Sequence, residues 1–316
     1  MNKLLLLVAV TGILCSRTKS QSPPGNEFPI VAYYICHSSP LSEINFKQFT
    51  HLHYAFLNPD STGELILGTD CLDSLVPLAH ANKVKILGSI GGGSAPEYYS
   101  ALLKDGKRQQ LITKLVEVVE RYQLDGIDVD LEGKRIDENY EAFVTELKAA
   151  LSSRYKLVTA AIATVYKMQL TDKALSQFDY ITIMSYDKTG PWNPNIAGHH
   201  SPYSMAVEDT DYWVNTRQLN KDKLYLGLPF YGYSFGPAGA GSFAYKDIIG
   251  QFPGAENKDE LTMPDGSILY YNGIPTIRKK VQLAKDKLGG VMFWQLMGDS
   301  KDDKSLLKAI NEEAKQ

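Results

Sequence analysis

Residues 125–132 read Asp-Gly-Ile-Asp-Val-Asp-Leu-Glu, so the carboxylates Asp125, Asp128, Asp130 and Glu132 fall within one short segment. They alternate with Ile127, Val129 and Leu131. In a strand, successive side chains point to opposite faces. Asp128, Asp130 and Glu132 therefore share one face, and the three aliphatic residues share the other. Asp125 has the parity of the aliphatics and reads as a structural acid where the strand begins. An amphipathic stretch precedes the segment and Gly126 adjoins it, which places it inside a fold. Stacked interior carboxyls cannot all ionise cheaply, because neighbouring like charges push their pKa values apart. Such a stack suits proton transfer. A solvated acidic edge and a divalent-cation site are the competing readings.

The elements that must hold this segment recur regularly. Short apolar runs cover residues 30–35, 51–57, 84–89, 126–131, 157–164, 180–185, 224–229 and 290–296. Amphipathic stretches lie between them, among them 107–122, 137–151, 206–217 and 277–288. Ser94 and Glu97 have the spacing of a helix capping box. Strands alternating with helices imply a parallel sheet, and eight such units imply an α/β fold of the (β/α)₈ TIM-barrel type. An open doubly wound sheet is the runner-up, but no Gly-rich phosphate loop follows the first run. One connection is too long for a plain loop. Residues 234–273 read as a short insertion between strands 7 and 8, and Phe243, Tyr245, Phe252, Tyr270 and Tyr271 suggest that it packs. In barrels the reacting groups sit at the C-terminal strand ends, and Glu132 ends the fourth run.

The chain has 316 residues, 44% of them hydrophobic, and a formal charge of −3. That length suffices for one large barrel or two ordinary domains. The charge balance argues against nucleic acid as a partner. Met1-Asn2-Lys3 followed by an apolar run to Leu14 has the form of a secretory signal, too short to serve as a membrane-spanning helix. Cleavage after Ser20, with 21–27 as a linker and 28–316 as the catalytic domain, competes with lipidation at Cys15. The expected location is secreted or extracytoplasmic, alternatively membrane-anchored as a lipoprotein. Cys36 and Cys71 read either as a disulfide pair or as two buried thiols. The histidines form no recognisable metal motif, so neither a metal nor an organic cofactor is expected.

Taken together, the motifs resemble a chitinase of glycoside hydrolase family 18, over residues from about Phe28 onward. The acidic segment matches the family's Asp-x-x-Asp-x-Asp-x-Glu signature. Ser89-Ile90-Gly91-Gly92 matches Ser-x-Gly-Gly, Met184-Ser185-Tyr186-Asp187 matches Met-x-Tyr-Asp, and Trp294 ends the last strand. Gly133 stands where an aromatic is common after the acid, and Gln295 where an acid is common after the tryptophan. The insertion is shorter than in many chitinases.

The resemblance implies substrate-assisted retaining hydrolysis, an exception to the two-carboxylate scheme. The substrate's acetamide oxygen attacks and an oxazolinium ion forms. Glu132 would be the general acid and then the base. Asp130 would orient the acetamide N–H, Asp128 would share a proton with Asp130, and the Tyr186 hydroxyl would hold the attacking oxygen. Trp294 would stack under the cleaved sugar, and Met184 and Asp187 would line the same pocket. Trp192, Tyr231, Tyr33 and Phe56 are further candidates for sugar contact. Gly91 and Gly92 are expected to permit close packing. The implied partners are chitin or N-acetylglucosamine oligosaccharides, met by a monomer. An endo-β-N-acetylglucosaminidase acting on N-glycans and an inactive chitin-binding lectin are the alternatives.

Overall fold

The computed structural model describes residues 28–36, 40–66, 69–237 and 239–316. The expected signal, lipidation site and linker lie outside them. The strands are β1 (Ile30–Ile35), β2 (His51–Ala55), β3 (Lys85–Gly91), β4 (Gly126–Asp130), β5 (Leu157–Ile162), β6 (Ile181–Ile183), β7 (Leu224–Pro229), β8 (Tyr231–Gly236), β9 (Gly239–Ala244), β10 (Glu260–Thr262), β11 (Ile268–Tyr270) and β12 (Gly290–Trp294). Strands β1 to β7 and β12 form a closed parallel barrel in which β12 lies between β7 and β1. The (β/α)₈ expectation holds. Between β7 and β12 a small antiparallel sheet of order β10-β11-β8-β9 stands apart from the barrel. It begins at Tyr231, three residues earlier than the sequence pattern suggests, because the chain pairs with β9 directly after Pro229. Tyr245 and Tyr271 are buried beneath it, which fits the expected packing.

The surrounding helices follow from their periodicity. In the helix Arg108–Tyr122, Leu111, Ile112, Leu115, Val116, Val118, Val119 and Tyr122 are buried, a stripe at helical spacing turned toward the barrel. Each such aliphatic contributes about 2 kcal/mol when fully buried. Gln123, in the left-handed conformation, ends that helix. The stretch expected as one helix at 206–217 is instead an α-helix, Tyr203–Asp211, running into a π-helical turn, Tyr212–Thr216. The turn seats Trp213, fully buried, with its indole N–H on Thr164 at 2.9 Å.

The capping box is not formed. Ser94 and Glu97 lie in turns, and the next helix, Tyr99–Leu102, starts with no side-chain cap. Pro96 stands between the pair and disfavours helical backbone at Ala95. Cys36 and Cys71 are disulfide-bonded, with Cα atoms 6.2 Å apart. Closing that loop contributes about 4 kcal/mol by chain entropy. No helix among the described residues is long and apolar enough to cross a membrane.

Candidate active site

The acid face of β4 turns into the barrel. Asp128 is inaccessible to solvent and Asp130 is 4% exposed, while Glu132, just past the strand end, is half-buried. Parallel register sets Ser89 on β3 and Thr159 on β5 at the level of Asp128. Asp128 Oδ2 accepts from the Tyr33 hydroxyl and the Ser89 hydroxyl, each at 2.7 Å. Its Oδ1 accepts from Thr159 at 2.7 Å. Burial pushes Asp128 upward, but the His53 imidazole beside it and the hydrogen bonds from Tyr33 and Thr159 outweigh it and hold Asp128 below the ordinary carboxylate range.

Asp130 behaves in the opposite way. Burial, then the charges of Glu132 and Asp128, push it well above its ordinary value, and its Oδ1 is buried without a partner. Glu132 is pushed up to about 7 by burial and by the charge of Asp187, against a smaller opposing pull from Arg135. The surroundings thus favour the ionised form at the base of the column and the neutral form above it, with an acid held near neutrality at the mouth.

The loop after β3 crosses close over this column. Gly91 and Gly92 have φ of +105° and +86°, and the Gly92 N–H donates to the Asp130 carbonyl at 2.7 Å. A Cβ on Gly91 would lie 2.2 Å from that carbonyl oxygen, and one on Gly92 would lie 2.5 Å from the Phe56 ring. Both glycines serve close packing, as their motif suggests. Arg135 donates to the carbonyls of Glu132 and Pro96, tying the loops after β3 and β4 together.

Tyr186, beyond β6, is buried, and its ring packs against Gly227, where a Cβ would lie 2.9 Å from Cε1. Burial, then the charges of Asp130, Asp187 and Glu132, push its phenol well up, so it stays a neutral donor. Asp187, at φ +61°, accepts from the Tyr231 hydroxyl at 2.5 Å and the Tyr233 hydroxyl at 3.2 Å. His200 Nδ1 lies 3.4 Å from the same oxygen. Met184 is buried in the barrel-interior cluster with Tyr186.

Trp294 is half-buried at the end of β12. It stacks on Phe56 at 5.7 Å and tilts against Tyr33 at 5.4 Å. The structure places Tyr33 beneath the acid column and not on a sugar-facing wall, since the residue is 1% exposed and its hydroxyl is bonded to Asp128. Trp192 is 62% exposed, with its edge to Tyr233. Asp128, Asp130, Glu132, Tyr186, Asp187, Tyr231 and Met184 therefore converge from β4, β6 and the start of β8, with Trp294 and Phe56 as an aromatic wall. Trp192 stands outside them on the rim.

Sequence reasoning missed His53, Thr159, Tyr233 and His200. Inward parity on β2 and β5 was the available signal for the first two. Tyr233 has the same parity as Tyr231 along β8.

Comparison with known proteins agrees with this architecture. A GH18 chitinase from the chitin utilization locus of Flavobacterium johnsoniae superposes with a TM-score of 0.86 at 34% identity, covering 92% of this chain and 94% of that one. A chitinase of Bacteroides thetaiotaomicron superposes with a TM-score of 0.76 at 27% identity, covering 90% and 96%. A chitinase-like effector of Moniliophthora roreri is 29% identical over 261 residues, 71% of this chain and 63% of that protein's length. The model of glycosyl hydrolases family 18 matches residues 29–299, and this chain belongs to that family.

Proposed function

We propose that the protein cleaves β-1,4 linkages between N-acetylglucosamine units, in chitin or its oligosaccharides, with retention and with the substrate's own acetamide as nucleophile. The observation that carries this reading is the inward column of Asp128, Asp130 and Glu132, in which Asp128 accepts hydrogen bonds on both oxygens, Asp130 keeps a buried unpartnered Oδ1 and Glu132 stands half-buried at the mouth. Glu132 protonates the leaving oxygen and then takes a proton from water. Asp130, with a carboxyl oxygen still unpartnered, accepts from the acetamide N–H as the ring closes, and the single negative charge that it shares with Asp128 offsets that of the oxazolinium ion. The neutral Tyr186 phenol donates to the acetamide oxygen and fixes its angle of attack. Asp187 is tied up by two tyrosine hydroxyls, so it supports the site as a fixed charge and not as a free nucleophile. Trp294 offers its face to the sugar being cleaved, and Trp192 offers a second surface further along the chain. The enzyme acts as a monomer outside the cytoplasm.

A second reading, binding without turnover, is suggested by similar chains such as a chitinase-like effector and a chitinase-like agglutinin. The intact acid column speaks for an enzyme. Mass spectrometry of digests separates the possibilities. Chitotetraose and chitopentaose should be cut to shorter oligomers while a high-mannose glycopeptide stays intact. Release of the glycan with no cut in the oligomers would overturn the reading.

A further inference from the structure

Around and beneath the base of the acid column the barrel interior is not filled as barrels usually are. Its layers normally hold branched aliphatic side chains. Here His53 from β2, Ser89 from β3 and Thr159 from β5 point inward and are inaccessible to solvent. Tyr180, just ahead of β6, is 4% exposed and joins them. A histidine buried beside a carboxylate costs desolvation that apolar packing would avoid. Its partners show what it gains.

His53 Nε2 lies 2.7 Å from the Tyr180 hydroxyl, and Nδ1 lies 3.3 Å from Asp128 Oδ2. Nδ1 has no aligned hydrogen bond in this state, yet it faces the carboxylate. A carboxylate can only accept, whereas a phenol can donate. A neutral ring satisfies both neighbours in one way, with the proton on Nδ1 toward Asp128 and the Nε2 lone pair accepting from Tyr180. The other tautomer sets a lone pair against an anion. Tyr180 is held in place, stacked on His53 at 5.9 Å and on Tyr225 at 4.7 Å.

We propose that His53 is a positioning residue for the hydrolysis. Oriented by Tyr180, it turns Nδ1–H toward Asp128 and keeps that carboxylate fixed and charged, so the mobile proton of the column resides on Asp130, next to Glu132. The inference rests on Asp130 and Glu132 being the reacting pair. Asp128 from β4, Tyr33 from β1 and Tyr180 face His53 directly, and His51 and Tyr225 lie behind Tyr180. His51 is pushed down to about 3 by burial, then by His53 and Lys85. Burial pushes the phenols of Tyr33, Tyr180 and Tyr225 upward. None of these neighbours exchanges a proton near neutrality, and Gln restores the donor without an imidazole, so a limb that moves in His53→Ile and returns in His53→Gln is read through the acid column.

His53→Ile removes the donor and His53→Gln restores an N–H, while Tyr180→Phe removes only the hydroxyl that sets the tautomer. His53→Ile should lower kcat on chitotetraose by about 10-fold to 100-fold with little change in KM. The acidic limb of kcat/KM should move up by about one pH unit. The sign follows because Asp128, short of one donor, takes up a proton at higher pH. His53→Gln should recover most of both effects, and Tyr180→Phe should move the limb in the same direction by less. On ¹⁵N-labelled parent enzyme, long-range ¹H–¹⁵N correlation should show the Nδ1-protonated tautomer, assigned by its disappearance in His53→Gln. That spectrum needs no turnover. If the parent cuts no chitin oligomer, the functional reading fails while the tautomer still decides the inference. An Nε2-protonated ring would overturn it. So would a folded His53→Ile enzyme with the parent's kcat and acidic limb, or equal losses in the Ile and Gln variants with a lowered Tm and an unmoved limb. Should His53→Ile not fold, Tyr180→Phe and the spectrum decide.

Discussion

Two sets of carboxylates occupy opposite ends of the same barrel, and one of each set comes from the same short segment. At the N-terminal end, Asp125 Oδ2 accepts from the Ile86 N–H at 2.8 Å and meets His80 at 3.0 Å. Asp179 repeats the device, accepting from the Val158 N–H at 2.8 Å and from Lys148 at 2.7 Å. Each acid is partly open to water, faces a donor on the neighbouring strand and has a basic partner. At the C-terminal end, Asp130 is enclosed, keeps an unpartnered oxygen and has acids for neighbours. Asp125 stands just ahead of β4 and Asp130 ends it, so the length of one strand separates them. Chemistry follows from what surrounds a carboxyl, not from its type. The first acids staple strands together, and the second are held in a state that favours proton transfer.

The contrast breaks most visibly at Glu132. Glu132→Gln should lower kcat on a chromogenic chito-oligosaccharide by about 10²-fold to 10⁴-fold, with an unchanged Tm. Unchanged turnover in the folded variant would move the acid elsewhere. Trp294→Ala should come next. Removing the aromatic face should cost about tenfold in single-turnover rate, with a smaller effect on Tm because the residue lies at the rim. A variant that melts early yet cleaves normally when folded would make Trp294 a packing residue.

The pH profile sharpens the comparison. Glu132 must be protonated to act as an acid and is held at about 7, so kcat/KM should fall as pH rises through about 7. Asp187→Asn removes a charge that pushes Glu132 upward, so the basic limb should move to lower pH. An unmoved limb would remove Asp187 from the electrostatics of the site. The smallest effect is expected at the other end. Asp125→Ala should cost about 2 kcal/mol in denaturant unfolding and leave both pH limbs in place. A shifted limb would mean that the two acid sets are not independent.

Much of this was legible from the chain because it depends on local periods. Residues 30–35 and 224–229 are apolar runs with sharp ends, and β1 and β7 match them at both ends. The period of two placed Asp128, Asp130 and Glu132 on one face before any strand pairing was known. Where the chain turns, the pattern overran. Residues 180–185 read as strand, but β6 stops at Ile183, since Ser185 folds back onto the Ile183 carbonyl on the way to the left-handed Asp187. The capping-box spacing of Ser94 and Glu97 carried no weight against Pro96 between them. The shell around Asp128 was out of reach for a different reason. Tyr33, Ser89, Thr159 and His53 come from different strands and meet only through barrel register, which no local pattern encodes. The clamp on Asp187 by Tyr231, Tyr233 and His200 likewise depends on how β8 folds against the loop after β6.

The most direct test of the account is the dependence of cleavage on the acetamide. Initial rates should be measured by mass spectrometry on chitotetraose, its fully deacetylated counterpart and cellotetraose, under identical conditions. If the substrate supplies the nucleophile and Asp130 and Tyr186 hold it, chitotetraose is cut and the other two are not. Hydrolysis of either of the other two at a comparable rate would contradict the mechanism and the roles assigned to both residues.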